Sequence, residues 1–443
     1  MSRSIRIKGL APLNGIVSVP GDKSISHRVA MLASIASGRC EIRGFATSAD
    51  CRSTLDCIKR LGVKVEEIDG RLVIHGAGLG GYQAQGGRVS LDAGNSGSTI
   101  RMLSGLLAAQ PFTSVIDGDA SLRRRPMRRI IEPLNLMGCG IDARQSRFPP
   151  LTIHGSPLAA IDYISPVASA QVKTCVLFAG LLASGRTTFR EPAPSRNHTE
   201  LMLAEFGARF DKSESDNSMS VEGGAELQPI EYRVPGDLSS ASFFIAAATM
   251  LNDSKLVIRN VNLNPTRTAF INVLNGLGAN VLVENLTVRH NEPVGDISVK
   301  SAALKSYKHG LIASAEAIPN LIDEIPILAV VGSQVEGRLE VRDARELRVK
   351  ESDRIRSVVA AIKSLGGEIE EFEDGFAIEG PQRLRGATVE SAGDHRIAMA
   401  FTIAGLVAEG TTEILDADCA AVSFPEFYEL LASITPGGTL LRS

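Results

Sequence analysis

The residues of this chain that could do chemistry are charged and small ones grouped just ahead of apolar runs. Lys23, Ser24 and Arg28 stand in the stretch Val19-Pro20-Gly21-Asp22-Lys23-Ser24-Ile25-Ser26-His27-Arg28. A Pro-Gly turn followed by Asp and Ser predicts a capped helix start, and two cations beside its outward N–H groups suit an anion. Gly97 lies in the small-residue loop from Asp92 to Arg101, which also leads into a helix. Arg125 belongs to a run with five Arg in the seven residues 123–129, whose Pro126 limits helix. Ser169, Ala170 and Gln171 open another apolar run, and Arg196 follows a Pro-rich turn. In the second half, Asp323 and Glu324 precede an apolar run, Lys350, Glu351 and Arg354 alternate charge, and Arg396 follows Asp394 and His395. Taken singly, each group reads as an N-cap with solvated charges, but all of them recur at equivalent places in a repeat.

That repeat supplies the elements that must position them. Val19-Pro20-Gly21-Asp22 returns as Val234-Pro235-Gly236-Asp237, an offset of 215 (234 minus 19). Enclosed helices are predicted to begin near Lys23, Gly97, Ser169, Ser239, Asp323 and Asp394, so successive starts differ by 74, 72, 70, 84 and 71 residues. Each run is apolar on nearly every side, as a helix surrounded by protein must be. Between them recurs a mixed helix, a Gly and a short strand, with Gly62, Gly138, Gly207, Gly278 and Gly366 expected as C′ residues. Six α/β units then form two domains of three, predicted as residues 21–235 and 236–443, the second completed by residues 1–20. Six helix N-termini aimed at one cleft would add about +3 of partial charge to the cationic side chains, leaving Asp323 and Glu351 as the proton-transfer groups.

Bulk composition narrows the function classes. With 44% hydrophobic and 22% charged residues, 443 residues can form two or more cores. A net charge of −3, no Trp and only 5 Tyr argue against a nucleic-acid partner. The six cysteines lack C-x-x-C spacing, so free thiols in a reducing compartment are expected. The start of the chain lacks an apolar signal core and no apolar run reaches about 18 residues, so the expectation is a cytoplasmic protein with no membrane partner. Gly76-Ala77-Gly78-Leu79-Gly80-Gly81 matches G-x-G-x-x-G, but no helix pattern follows, and no His/Cys/Asp cluster has metal-ligand spacing.

Together these residues resemble the 5-enolpyruvylshikimate-3-phosphate synthase family, from about Leu10 to Leu431. The likeness is carried by Gly21 to Arg28, Gly94 to Arg101, Arg125-Pro126, Ser169 to Lys173, Ile322 to Glu324, Arg348 to Arg354 and Asp394 to Arg396. It implies an α/β fold, a two-domain inverse α/β barrel (the enolpyruvyl transferase fold) with helices inside, sheets outside and the active site in the interdomain cleft. It implies transfer of the enolpyruvyl group of phosphoenolpyruvate to the 5-hydroxyl of shikimate 3-phosphate, with no cofactor and no metal, by a protein expected to be a monomer. Shikimate 3-phosphate would meet Lys23, Ser24, Arg28, Ser169, Ala170, Gln171, Arg196, Asp323 and Lys350. Phosphoenolpyruvate would meet Lys23, Gly97, Arg125, Gln171, Arg354 and Arg396. Catalysis would fall to Asp323, Glu351 and Lys23. Glyphosate is an expected inhibitor at the phosphoenolpyruvate site, since Gly97 stands where some members of the more divergent class carry Ala.

Two departures from the better-known branch, Val422 where it has Lys and Glu346 where it has Asn, together with Ser169-Ala170-Gln171-Val172-Lys173 and Asn264-Pro265-Thr266-Arg267, make the chain resemble that second, divergent class of the family. The rival readings are the sister enolpyruvyl transferase acting on UDP-N-acetylglucosamine, which needs a catalytic Cys on a mobile loop, and a non-catalytic repeat scaffold with an RNA-binding basic patch.

Overall fold

The structure, a computed structural model, describes residues 4–306, 311–313 and 317–442. The chain forms two compact units. The first comprises Gly21–Val234 with Arg289–Glu292; the second comprises the chain up to Pro20, Pro235–Val288 and the chain from Pro293 onward. Pro235 and the short segment Arg289–Glu292 thus each fall on the other side of the division from that expected of residues 21–235 and 236–443.

Within each unit, the described residues form three four-stranded sheets built to one plan. Strand, inner helix, strand, outer helix and a closing hairpin follow in order, and the sheet reads first, second, fourth, third. In one example Arg88–Asp92 pairs parallel with Thr113–Asp117, which pairs antiparallel with Phe148–His154, which pairs antiparallel with Gly140–Arg144. Burial alternates along Thr113–Asp117 and Phe148–His154, as expected of strands with one face on a core. Two leading strands are exchanged. Asn14–Val17 precedes the first inner helix yet pairs with Lys255–Asn262. Glu231–Arg233 precedes the fourth yet pairs with Ser37–Arg43. The N-terminal strand Ile5–Lys8 lies between Thr411–Leu415 and Leu440–Arg442 and completes the last sheet.

The inner helices are Lys23–Ile35, Gly97–Leu107, Ala170–Leu182, Leu238–Met250, Ile325–Gly332 and His395–Val407. Every residue from Val172 to Leu181 is buried in the third, and every residue from Leu238 to Thr249 in the fourth. Gly105 shows why small residues punctuate these helices: a Cβ there would lie 2.2 Å from the Cys175 carbonyl oxygen, so the second and third helices meet through it. The outer helices end as their sequences imply, with Gly62, Gly138, Gly207, Gly278 and Gly366 all at positive φ.

The fifth inner helix departs from the expectation. It begins at Ile325 rather than near Asp323, after a separate turn of helix at Ile318–Leu321. Pro326 accounts for this, because a residue without an N–H fits only the first helical turn. Asp323 consequently stands on the turn between the two helical segments. Among the described residues no helix is long and apolar enough to cross a membrane.

Candidate active site

The chemistry-bearing residues fall into one cluster in each unit. In the first, Asp22 caps the inner helix by accepting from the Ile25 N–H at 2.9 Å, which fixes the turn carrying Lys23 and Ser24. Lys23 Nζ lies 2.9 Å from Asp50 Oδ2, a partner that sequence spacing had not singled out. Arg28, one turn on, is only 3% exposed. Its guanidinium donates to the Ser24 carbonyl at 2.8 Å, to Thr199 Oγ1 at 2.7 Å, to Thr174 Oγ1 at 3.0 Å and to the Ala170 carbonyl at 3.4 Å. Burial pulls its pKa down to about 10, a pull that Glu200 offsets and the charge of Arg196 reinforces. It remains a cation at neutral pH. Behind it, burial and then the charges of Lys23 and Arg28 hold His27 well below the usual histidine range, and its Nδ1 pairs with Thr54 Oγ1 at 2.7 Å.

Gly97 opens the second inner helix, with Ser96 as cap. A Cβ on Gly97 would lie 2.9 Å from Arg101 Nη1 and 3.4 Å from Arg125 Nη1, so both guanidinium groups approach that one glycine. Arg125 is 6% exposed and donates to Asn95 Oδ1 at 2.5 Å and Ser121 Oγ at 3.2 Å. Its neighbours in the arginine run behave differently. Arg123 pairs with Asp117 and Arg128 with Glu132 while both arginines stay exposed, whereas Arg125 is turned inward. Arg101 was missed as a site residue, although it closes the Asn-Ser-Gly motif. It donates to Gln171 Oε1 at 2.7 Å, and Gln171 Nε2 donates to Ser98 Oγ at 3.0 Å, tying Gln171 to the Gly97 turn. Ser169 caps the third inner helix, and Arg196 is half-buried on the turn before His198–Glu205.

In the second unit three buried arginines surround Asp323. Arg267 Nη1 lies 3.9 Å from Oδ2, while Arg354 Nη1 and Arg396 Nε each lie 3.8 Å from Oδ1. Arg354 also donates to Glu351 Oε2 at 2.6 Å and takes Asp394 through two bonds, at 2.8 and 3.2 Å. Burial opposes its charge, but Asp394 and Glu351 outweigh burial and raise its pKa. Asp394, fully buried, is disfavoured as an anion by burial, yet Arg354 holds it below the usual carboxylate range. Arg396 Nη1 donates to Ser239 Oγ at 2.8 Å, and that hydroxyl bonds to Glu324. Lys350 is more exposed, with Nζ 3.3 Å from Glu346, the residue that departs from the family pattern. Asp323, Glu351, Arg354 and Arg396 are therefore brought together, and Lys350 stands at their margin. Arg267 belongs to the same cluster; its sequence context, Asn264-Pro265-Thr266-Arg267, had read only as a mark of class.

Two charge clusters, one rich in cations at helix starts and one with carboxylates set among guanidinium groups, suit anionic substrates and a proton transfer. Among the described residues no group of three or more His, Cys, Asp or Glu side chains is arranged to hold a metal ion. Known proteins give the same reading. The family model described as EPSP synthase (3-phosphoshikimate 1-carboxyvinyltransferase) matches residues 7–431. A 3-phosphoshikimate 1-carboxyvinyltransferase of Solibacter usitatus is 51% identical over 97% of this chain and 99% of that protein. One from Thermoanaerobacter sp. is 47% identical over 96% of this chain and 98% of that protein. The solved EPSP synthase of Acinetobacter baumannii superposes with a TM-score of 0.87 at 40% identity, covering all of both chains. The chain belongs to the EPSP synthase family, whose inverse α/β fold is shared by the six sheets and buried inner helices of the described residues.

Proposed function

We propose that this chain transfers the enolpyruvyl group of phosphoenolpyruvate to the 5-hydroxyl of shikimate 3-phosphate, releasing phosphate, and that it does so as a cytoplasmic monomer. The observation that carries the reading is Asp323, a carboxylate set among Arg267, Arg354 and Arg396 at 3.8 to 3.9 Å. A base fixed beside cations can deprotonate a hydroxyl while the attacked anion is held. Asp323 takes the proton of the 5-hydroxyl as its oxygen attacks C2 of phosphoenolpyruvate, and Glu351 with Lys23 delivers a proton to C3. The tetrahedral adduct then loses a C3 proton and inorganic phosphate, leaving the enol ether.

Lys23, Ser24, Arg28, Ser169, Ala170, Gln171, Arg196, Asp323 and Lys350 hold shikimate 3-phosphate, and Lys23, Gly97, Arg125, Gln171, Arg354 and Arg396 hold phosphoenolpyruvate. The Ala170 carbonyl already accepts from Arg28 and Thr174, so its N–H at the helix start is the group offered to an anion. The sister reaction on a UDP-aminosugar draws no support from the thiols. Five of the six cysteines are buried, and burial raises all six, Cys51, Cys57, Cys139 and Cys419 to about 12, which is unfit for a nucleophile or acid at neutral pH.

Incubation with phosphoenolpyruvate and shikimate 3-phosphate should release one phosphate per enol ether formed, read by phosphate assay and carbon NMR. Phosphate release from phosphoenolpyruvate only when UDP-N-acetylglucosamine replaces shikimate 3-phosphate, or only salt-dependent RNA binding, would overturn the reading. A narrower expectation follows at Gly97. The methyl of Gly97→Ala would press on the guanidinium groups of Arg101 and Arg125, at 2.9 and 3.4 Å. Glyphosate should inhibit the native enzyme competitively with phosphoenolpyruvate, and Gly97→Ala should raise its inhibition constant more than the Michaelis constant. Equal inhibition of both enzymes would place that discrimination elsewhere.

A further inference from the structure

A lysine lies buried between two carboxylates in the first unit, and the reaction outlined above makes no use of it. Lys173 Nζ is 3.0 Å from Glu191 Oε1 and 2.7 Å from Glu200 Oε1, with the three side chains 1%, 2% and 4% exposed. Burying three charges is weak evidence for stability, since apolar residues of similar volume often serve as well. What the trio grips is more informative. Every polar group of Ser195 is held by it: the N–H donates to Glu191 Oε1 at 2.9 Å, the hydroxyl donates to Glu191, Oε2, at 2.6 Å, and the carbonyl accepts from Lys173 at 3.3 Å.

Ser195 immediately precedes Arg196. Glu200, on the other side of Arg196, lies in the helix His198–Glu205, so the turn carrying Arg196 is fixed at both ends through Lys173. The same two elements hold the other guanidinium. Thr199, beside Glu200, and Thr174, beside Lys173, are the hydroxyls to which Arg28 donates, and they bond to each other at 2.6 Å. Arg28 is bonded to Thr199, three residues beyond Arg196, so the two cations belong to one small region, where the charge of Arg196 opposes that of Arg28. A dianion between them would convert that repulsion into two charge-assisted contacts.

We propose that Lys173, Glu191 and Glu200 are positioning residues that set Arg196 beside Arg28 as a receptor for the phosphate of shikimate 3-phosphate, an inference that rests on the function proposed above. They touch no substrate and act through the Ser195 backbone and the Thr174–Thr199 pair. Their loss should therefore weaken the grip on the phosphate and leave the rest of the substrate site intact.

The probe is the ratio of dissociation constants for shikimate and shikimate 3-phosphate, measured by calorimetry on the full chain. Glu191→Gln keeps the shape of the side chain, and Ser195→Ala removes one hydroxyl and leaves all three charges. The native protein should favour the phosphorylated ligand, and Glu191→Gln should cut that preference about tenfold, with a smaller cut in Ser195→Ala, while KM for phosphoenolpyruvate stays within about twofold. A purely structural role would lower thermal stability and weaken both ligands equally, leaving the ratio unchanged. A native preference that survives intact in both variants would overturn this proposal alone. A native protein with no preference for the phosphorylated ligand would remove it together with the proposed function.

Discussion

Asp323→Asn is expected to fold, to bind both substrates and to turn over about 10²–10⁴-fold more slowly, the usual loss when a general base is removed. The substitution changes no volume and leaves the neighbouring cations with other partners. Arg354 keeps Asp394 and Glu351, Arg396 keeps Ser239, and Arg267 keeps its contacts near Asp237 and Glu324. What disappears is the carboxylate charge and, with it, acceptance of the hydroxyl proton, which an amide cannot supply. The signature is therefore a fall in kcat with little change in the dissociation constant of shikimate 3-phosphate. Glu351→Gln should show the same pattern if Glu351 carries the C3 proton, with the added loss of the 2.6 Å charge pair to Arg354. Turnover of Asp323→Asn near the native rate would remove Asp323 as the base.

The sequence made the scaffold legible because its signals are local. An outer helix that must end in a left-handed residue announces itself with Gly, and an inner helix surrounded by protein announces itself by being apolar on every side. The start of the fifth inner helix was misplaced by two residues because the carboxylates of Asp323 and Glu324 looked like caps, whereas Pro326 decides where the first turn lies. The exchange of Asn14–Val17 and Glu231–Arg233 left no local trace, since a strand's sequence tells that it pairs but not with what. The site divides along the same line. Lys23, Arg28, Asp323 and Arg396 stand in short motifs and were readable. Asp50, Thr199 and Arg267 act through partners between 27 and 171 positions away, and nothing near them in the chain reports it. Within the run at 123–129, composition could not separate Arg125 from its solvated neighbours; only burial does.

Asp394 is where the second unit should prove most sensitive to the loss of one charge. Its carboxylate caps the sixth inner helix through the Arg396 N–H at 2.9 Å, accepts from Ser352 Oγ at 3.1 Å and takes the Arg354 guanidinium through two bonds. Both partners of that pair are almost wholly buried, so removing the anion leaves a cation without its main counter-charge in a site closed to water. Breaking such a pair costs about 3–5 kcal/mol, and since Glu351 and Asp323 still face Arg354, the lower end of that range is expected for Asp394→Asn. Asn can still cap a helix and Ala cannot, so Asp394→Ala should lose about 1 kcal/mol more. Urea unfolding at neutral pH would measure both. The pH dependence carries the sign of the argument. Because Arg354 depresses the carboxyl in the folded state, its contribution is complete above the unfolded value of about 3.9 and is lost as pH falls from there through the lower native value. The gap between the native protein and Asp394→Asn should therefore be constant from pH 8 to about 5 and close in more acidic solution. A gap under about 1 kcal/mol at neutral pH, or one that persists unchanged into acid, would show that the buried charge of Asp394 is not what holds Arg354 and the sixth helix together.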